Sequence, residues 1–96
     1  MVVSFHELAE QELNDAAQYY DREQPGLGTA LIADVRRCMD AILEHPEAGP
    51  IIRGRVRRRL CRKFRYGVLY TIRPGTVRVL AVMNLRRHPT YWVGRS

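Results

Sequence analysis

The chain has 96 residues and a mass of 11.2 kDa, which is room for one domain and excludes enzymes that carry a separate cofactor domain. Hydrophobic residues make up 46%, enough for a core and too many for a disordered tail. No apolar run reaches bilayer length or forms a signal-peptide core, so a soluble, cytoplasmic protein is expected. The net charge of +6 is unevenly divided: residues 1–50 hold all 10 acids and 3 bases, whereas residues 51–96 hold 13 bases and no acid. All the bases except Lys63 are arginine. Uncompensated positive charges repel one another, so the second half is expected to meet a polyanion, either nucleic acid or an acidic polypeptide.

Val2, Val3 and Phe5 form a short apolar start and predict an edge strand. From Glu7 the period changes, and Ala9, Leu13, Ala16 and Tyr20 make one helical stripe running to about Glu23. Pro25-Gly26-Leu27-Gly28 breaks it. A second stripe follows in Leu31, Val35, Cys38 and Ile42, widened by Ile32, Met39 and Leu43. Thr29 is a candidate N-cap, and Pro46 should end this helix near Glu44. The acids are read as solvated helix faces. Residues 49–54 read as a loop. Val56–Cys61, Tyr66–Ile72 and Val77–Met83 read as strands, the last apolar enough to be central. Arg73-Pro74-Gly75-Thr76 is a turn between the last two, because proline fixes one φ and glycine permits a positive one. The tail from Arg86 is basic and aromatic. The predicted class is α+β in the order β-α-α-β-β-β, a twisted antiparallel sheet with a two-helix hairpin packed on one face.

The chemistry on offer is narrow. His6, His45 and His88 are scattered, and Cys38 and Cys61 lack metal-binding spacing, so neither metal nor cofactor is expected. The two cysteines read as reduced core thiols. No glycine-rich phosphate loop and no serine-hydrolase elbow occur, and Ser4 and Ser96 are the only serines. What remains suits anions. Cleavage of RNA through its own 2′-OH needs a base, an acid and cations, which Arg62, Lys63, Arg87, His88 and Tyr91 could supply. Tyr91 and Trp92 beside Arg86, Arg87 and Arg95 equally suit binding by stacking and charge, although Trp92 could also be a tail anchor on the sheet.

These residues, read together, resemble the RelE/ParE superfamily of bacterial toxins from type II toxin–antitoxin modules. The resemblance is carried by Ala17-Gln18-Tyr19-Tyr20, Ile42 to Pro50, Val56-Arg57-Arg58 and Phe64-Arg65-Tyr66 with Tyr70. It continues through Val79-Leu80-Ala81-Val82 and Arg87-His88-Pro89-Thr90-Tyr91-Trp92. The Arg-x-Pro-x-Tyr-Trp ending leans to the ParE branch. Arg65 stands where that branch often has proline, and Asn84 where it often has histidine. In the RelE branch an arginine tends to follow the tyrosine that opens the third strand of that pattern; here Gly67 follows Tyr66.

The resemblance implies a toxin that inhibits DNA gyrase by binding and is neutralised by a cognate acidic antitoxin in a hetero-oligomer. Target contacts are expected at Arg86, Arg87, Tyr91, Trp92 and Arg95. Antitoxin contacts are expected at Arg57, Arg59, Tyr19 and Tyr20. Two alternatives stand beside it. One is a RelE-like ribosome-dependent mRNA endonuclease using Arg62, Lys63, Arg87, His88 and Tyr91; the other is a non-toxic basic nucleic-acid-binding module.

Overall fold

A computed structural model describes all 96 residues. The order is β1 (Val2–Phe5), α1 (Glu7–Glu23), α2 (Leu27–Glu44), β2 (Ile51–Arg53), β3 (Val56–Leu60), β4 (Tyr66–Arg73) and β5 (Thr76–Asn84). The sheet runs β1-β5-β4-β3-β2. β2 to β5 form an antiparallel meander, but β1 pairs with β5 in parallel, Val2 opposite Thr76 and Phe5 opposite Val79. The sheet is therefore mixed rather than wholly antiparallel. The cause is β2, which lies in the stretch expected to be a loop. One extra strand adds one reversal of chain direction, so β5 arrives running with β1. β1 and β2 form the two borders, and Ile51 and Ile52 on β2 are exposed.

The helix hairpin closes on glycine. A Cβ built on Gly28 would collide with the Ala17 carbonyl oxygen, so α1 and α2 meet backbone to side-chainless backbone. α2 begins at Leu27, after Gly26 with φ 89°, and Thr29 lies inside its first turn rather than capping it. The cap comes from α1 instead: Asp21 Oδ1 accepts from Gly28 N at 2.8 Å. A side chain seven residues back relieves an orphan N–H that the local sequence leaves open. Gly28→Ala should cost about 3 kcal/mol, since the clash is with backbone that cannot rotate away. Urea denaturation checks this; an unchanged midpoint would mean that the helices separate freely.

Two apolar clusters lie on opposite faces of the sheet. On the helix side, Leu31, Val35, Cys38 and Ile42 meet Tyr66, Val68, Tyr70, Val77, Val79 and Val82. This is the alternation read from β4. On the other side, Leu69, Ala81 and Met83 are covered by Trp92 of the C-terminal tail. β4 and β5 are thus buried on both faces, as a near-continuous apolar run requires. The pairing register slips between Leu69–Ala81 and Tyr70–Val79, leaving Leu80 as the extra residue of a bulge. Arg58, which shares a strand face with Val56, lies over Gly67: a Cβ there would meet its Cγ at 3.3 Å. The missing side chain makes room for the arginine stem.

Candidate partner-binding surface

The antiparallel meander sorts the bases to two ends of the sheet. The turns β2–β3 and β4–β5 carry Arg55 and Arg73 to one end. The β3–β4 loop carries Arg62, Lys63 and Arg65 to the other, where the tail after β5 adds Arg86 and Arg87. Leu85 N donates to Arg65 O at 3.0 Å, tying that loop to the tail. Only one of the thirteen bases in the second half, Arg95, has a carboxylate partner. The positive charge is thus concentrated at two ends and along β3, not spread over one flat platform.

The second basic end is held by a buried acid. Asp34, 1% exposed, accepts at Oδ2 from the backbone N–H groups of Lys63 (3.0 Å) and Phe64 (2.9 Å). Burial works against its ionisation. The N–H groups of Phe64, Lys63 and Arg62, with Arg37, outweigh that and hold the carboxyl below its ordinary value. Phe64 in turn stands edge-on to Tyr20, with centroids 5.4 Å apart, and Tyr20 to Tyr19 at 5.3 Å. The acids are therefore not all solvated. The sequence signal for Asp34 is its place on the apolar stripe, three residues from Leu31 and four from Cys38.

Of the residues expected to meet an antitoxin, Tyr19 is exposed and Tyr20 half-buried against Phe64 and Tyr66. Arg57 donates to the carbonyls of Glu47 and Gly49, each at 2.8 Å, and so shapes the α2–β2 connection. Arg59 borders a cavity beside Cys38 and Cys61.

The tail sorts into free and committed groups. Arg86 and Arg87 are exposed. Trp92 is 3% exposed and its indole N–H donates to Pro89 O at 2.7 Å, so it is an anchor in the outer core. Arg95 forms a two-pronged pair with Glu12 at 3.0 and 3.1 Å and also donates to Leu80 O at 3.0 Å. Glu12 accepts from Val82 N at 3.1 Å. β1 reaches only as far as Val79, so β5 beyond it has no neighbouring strand on that side. The Glu12–Arg95 pair satisfies that flank, supplying an acceptor to Val82 and a donor to the bulged Leu80. Sequence reading missed Glu12 because its partner is 83 residues away.

Tyr91 lies 4.2 Å from the Arg87 guanidinium and 5.1 Å from that of Arg95, ring face to cation. Burial raises its phenol, and the nearby Glu12 raises it further. Arg87 and Tyr91 share a cleft of about 290 Å³ with Glu12, Asp15, Tyr66 and Asn84. Arg62, Lys63 and His88 do not line it. His88 is exposed, its Nδ1 accepting from Thr90 N at 3.3 Å. Two carboxylates beside Tyr91 disfavour a phosphodiester there, and a phenol whose ionisation burial opposes is a poor base. Arg86, Arg87, Arg62, Lys63 and Arg65 face outward at this end.

A helix hairpin on a five-stranded mixed sheet is consistent with the RelE/ParE-like fold. The family model described as the ParE toxin of the type II toxin–antitoxin system, parDE, matches residues 3–89, and the chain belongs to that family. It is the toxin component of a type II toxin–antitoxin module, whose partner is an antitoxin. No match is found among the curated proteins. No helix is long and apolar enough to cross a membrane.

Proposed function

We propose that this toxin acts in the cytoplasm by binding DNA gyrase, without chemistry of its own, and that an acidic antitoxin segment neutralises it. The observation that carries the reading is the basic end formed by the β3–β4 loop and the tail, whose five outward bases have no acid partner. The cleft beside it is lined by Glu12 and Asp15. Cations without an acid at hand attract a negatively charged partner, while Glu12, one carboxylate of the cleft, is already committed to Arg95 and Val82 N. Arg86 and Arg87 are the target contacts, with Tyr91 holding Arg87 in place by its ring. Tyr19, Tyr20 and Arg59 lie on the antitoxin side.

The purified toxin should inhibit gyrase supercoiling in a concentration-dependent way. Arg86→Ala combined with Arg87→Ala should weaken inhibition by roughly tenfold or more, the scale of losing two charged contacts at an interface. Tyr91→Phe keeps the ring and should retain inhibition. Full supercoiling at toxin excess would sink the reading, as would codon-positioned cuts in translated message abolished by Tyr91→Phe.

A further inference from the structure

The cavity between α2 and the β3–β4 loop borrows Arg59 and Arg62 from the binding reading, but its two thiols have no part in that reading. It encloses about 380 Å³ and is bordered by Asp34, Arg37, Cys38, Arg59, Cys61 and Arg62. Both cysteines are free thiols. Cys38, 6% exposed, comes from the middle of α2, and its Sγ lies 3.5 Å from Arg59 O and 4.0 Å from Leu60 O. Cys61 is the next residue, half-buried, and packs on the cluster that contains Cys38. Its backbone is fixed by a hydrogen bond from Cys61 N to Tyr66 O at 2.8 Å. Both side chains border this one cavity.

We propose that Cys38 and Cys61 form a thiol–disulfide site that a peroxide oxidises, stapling α2 to the basic β3–β4 loop. Three features set this pair apart from inert core thiols. The two cysteines come from different elements yet line one cavity, and Cys38 Sγ lies 4.0 Å from the carbonyl oxygen of Leu60, the residue joined to Cys61. The cavity mouth is lined by Arg37, Arg59 and Arg62, which favour a thiolate and admit a small oxidant. The pair also divides the roles. The neighbouring Cys61 thiol lowers the Cys38 thiol below its ordinary value, with Arg59 assisting against burial and Asp34. The Cys38 sulfur, and then burial, push the Cys61 thiol up.

The chemistry balances with hydrogen peroxide as the named oxidant. The Cys38 thiolate attacks one peroxide oxygen; the O–O bond breaks, hydroxide leaves, and Cys38 becomes a sulfenic acid. Cys61 sulfur then attacks the Cys38 sulfur, the S–O bond breaks, and the Cys61 proton departs with the oxygen as water. Two thiols are oxidised by two electrons, and one peroxide is reduced to two waters. The staple joins a loop that Asp34 already holds one helical turn away, so it adds to an existing tie instead of distorting the fold.

The test treats the full-length protein with stoichiometric hydrogen peroxide and reads intact mass and titratable thiols. The expected product is a monomer lighter by about 2 Da with both thiols lost together, both restored by dithiothreitol. Cys61→Ser removes the resolving thiol and should leave Cys38 as a sulfenic acid, heavier by about 16 Da and trapped by dimedone. Two intact thiols, independent oxygen adducts on each cysteine, or a disulfide-linked dimer in the unsubstituted protein would each overturn the proposal. None of these readouts depends on gyrase.

Discussion

Trp92→Ala should lower stability by roughly 4 kcal/mol, which for a domain of this size is a fall in Tm of about 15 °C or more. Trp92 is the largest side chain on the outer face and the buried one by which the tail covers Leu69, Ala81 and Met83, with Tyr91 packing beside it. Its loss uncovers the outer side of β4 and β5 and frees Pro89 O from the indole. The tail that would detach is the same segment that presents Arg86 and Arg87, so binding should fall with stability. Trp92→Phe separates the contributions: it keeps most of the buried area and loses the hydrogen bond, at about 1–2 kcal/mol. Thermal denaturation of both variants gives the check. Equal, small losses would mean that the tail does not cover the sheet in solution.

Asp34→Ala should cost about 3 kcal/mol, because two backbone donors lose an ionised acceptor at a buried site. The disturbance should be confined to the β3–β4 loop, visible as faster amide exchange at Lys63 and Phe64. The effect has a pH signature. The folded carboxyl titrates below the ordinary value of 3.8, so the unfolded chain binds the proton more readily. Its stabilisation is present in full above the unfolded value and disappears as pH falls through the folded one. Stability measured from pH 6 downward should therefore drop more steeply in the unsubstituted protein than in Asp34→Asn. Parallel acid limbs would show that Asp34 carries no special charge interaction.

Much of the architecture follows from periodicity. The stripes of α1 and α2, the one-sided alternation of Tyr66, Val68, Tyr70 and Ile72, and the Pro74-Gly75 turn are local patterns, and each element sits where its pattern places it. What escaped local reading depends on distant partners. β2 is three residues of exposed strand that owes its form to pairing with β3, and nothing in Ile51-Ile52-Arg53 alone distinguishes it from a loop. Missing it also hid the parallel pairing of β1. Asp21 caps a helix to which it does not belong, so Thr29 looked like the better cap.

The candidate surface was legible to a similar depth. Charge counting located the cations in the second half, and the exposed Arg86 and Arg87 agree with that. Counting could not separate Arg95, which is turned inward to Glu12, from its outward neighbours. Nor could it tell that Arg57 and Arg78 serve carbonyl and hydroxyl oxygens within the fold. Those assignments depend on which strand ends where, and here on β1 stopping four residues into its pairing with β5.

The border strand β2 carries one more consequence, for the free protein's behaviour in solution. Ile51 and Ile52 sit on a row of unpaired amides and carbonyls, which is a template for annealing a second copy. Arg53 and Arg55 stand at the same margin without acid partners. Two copies approaching margin to margin bring guanidinium against guanidinium before any amide can pair. The shield against clumping is thus ionic rather than steric, and dissolved salt thins it.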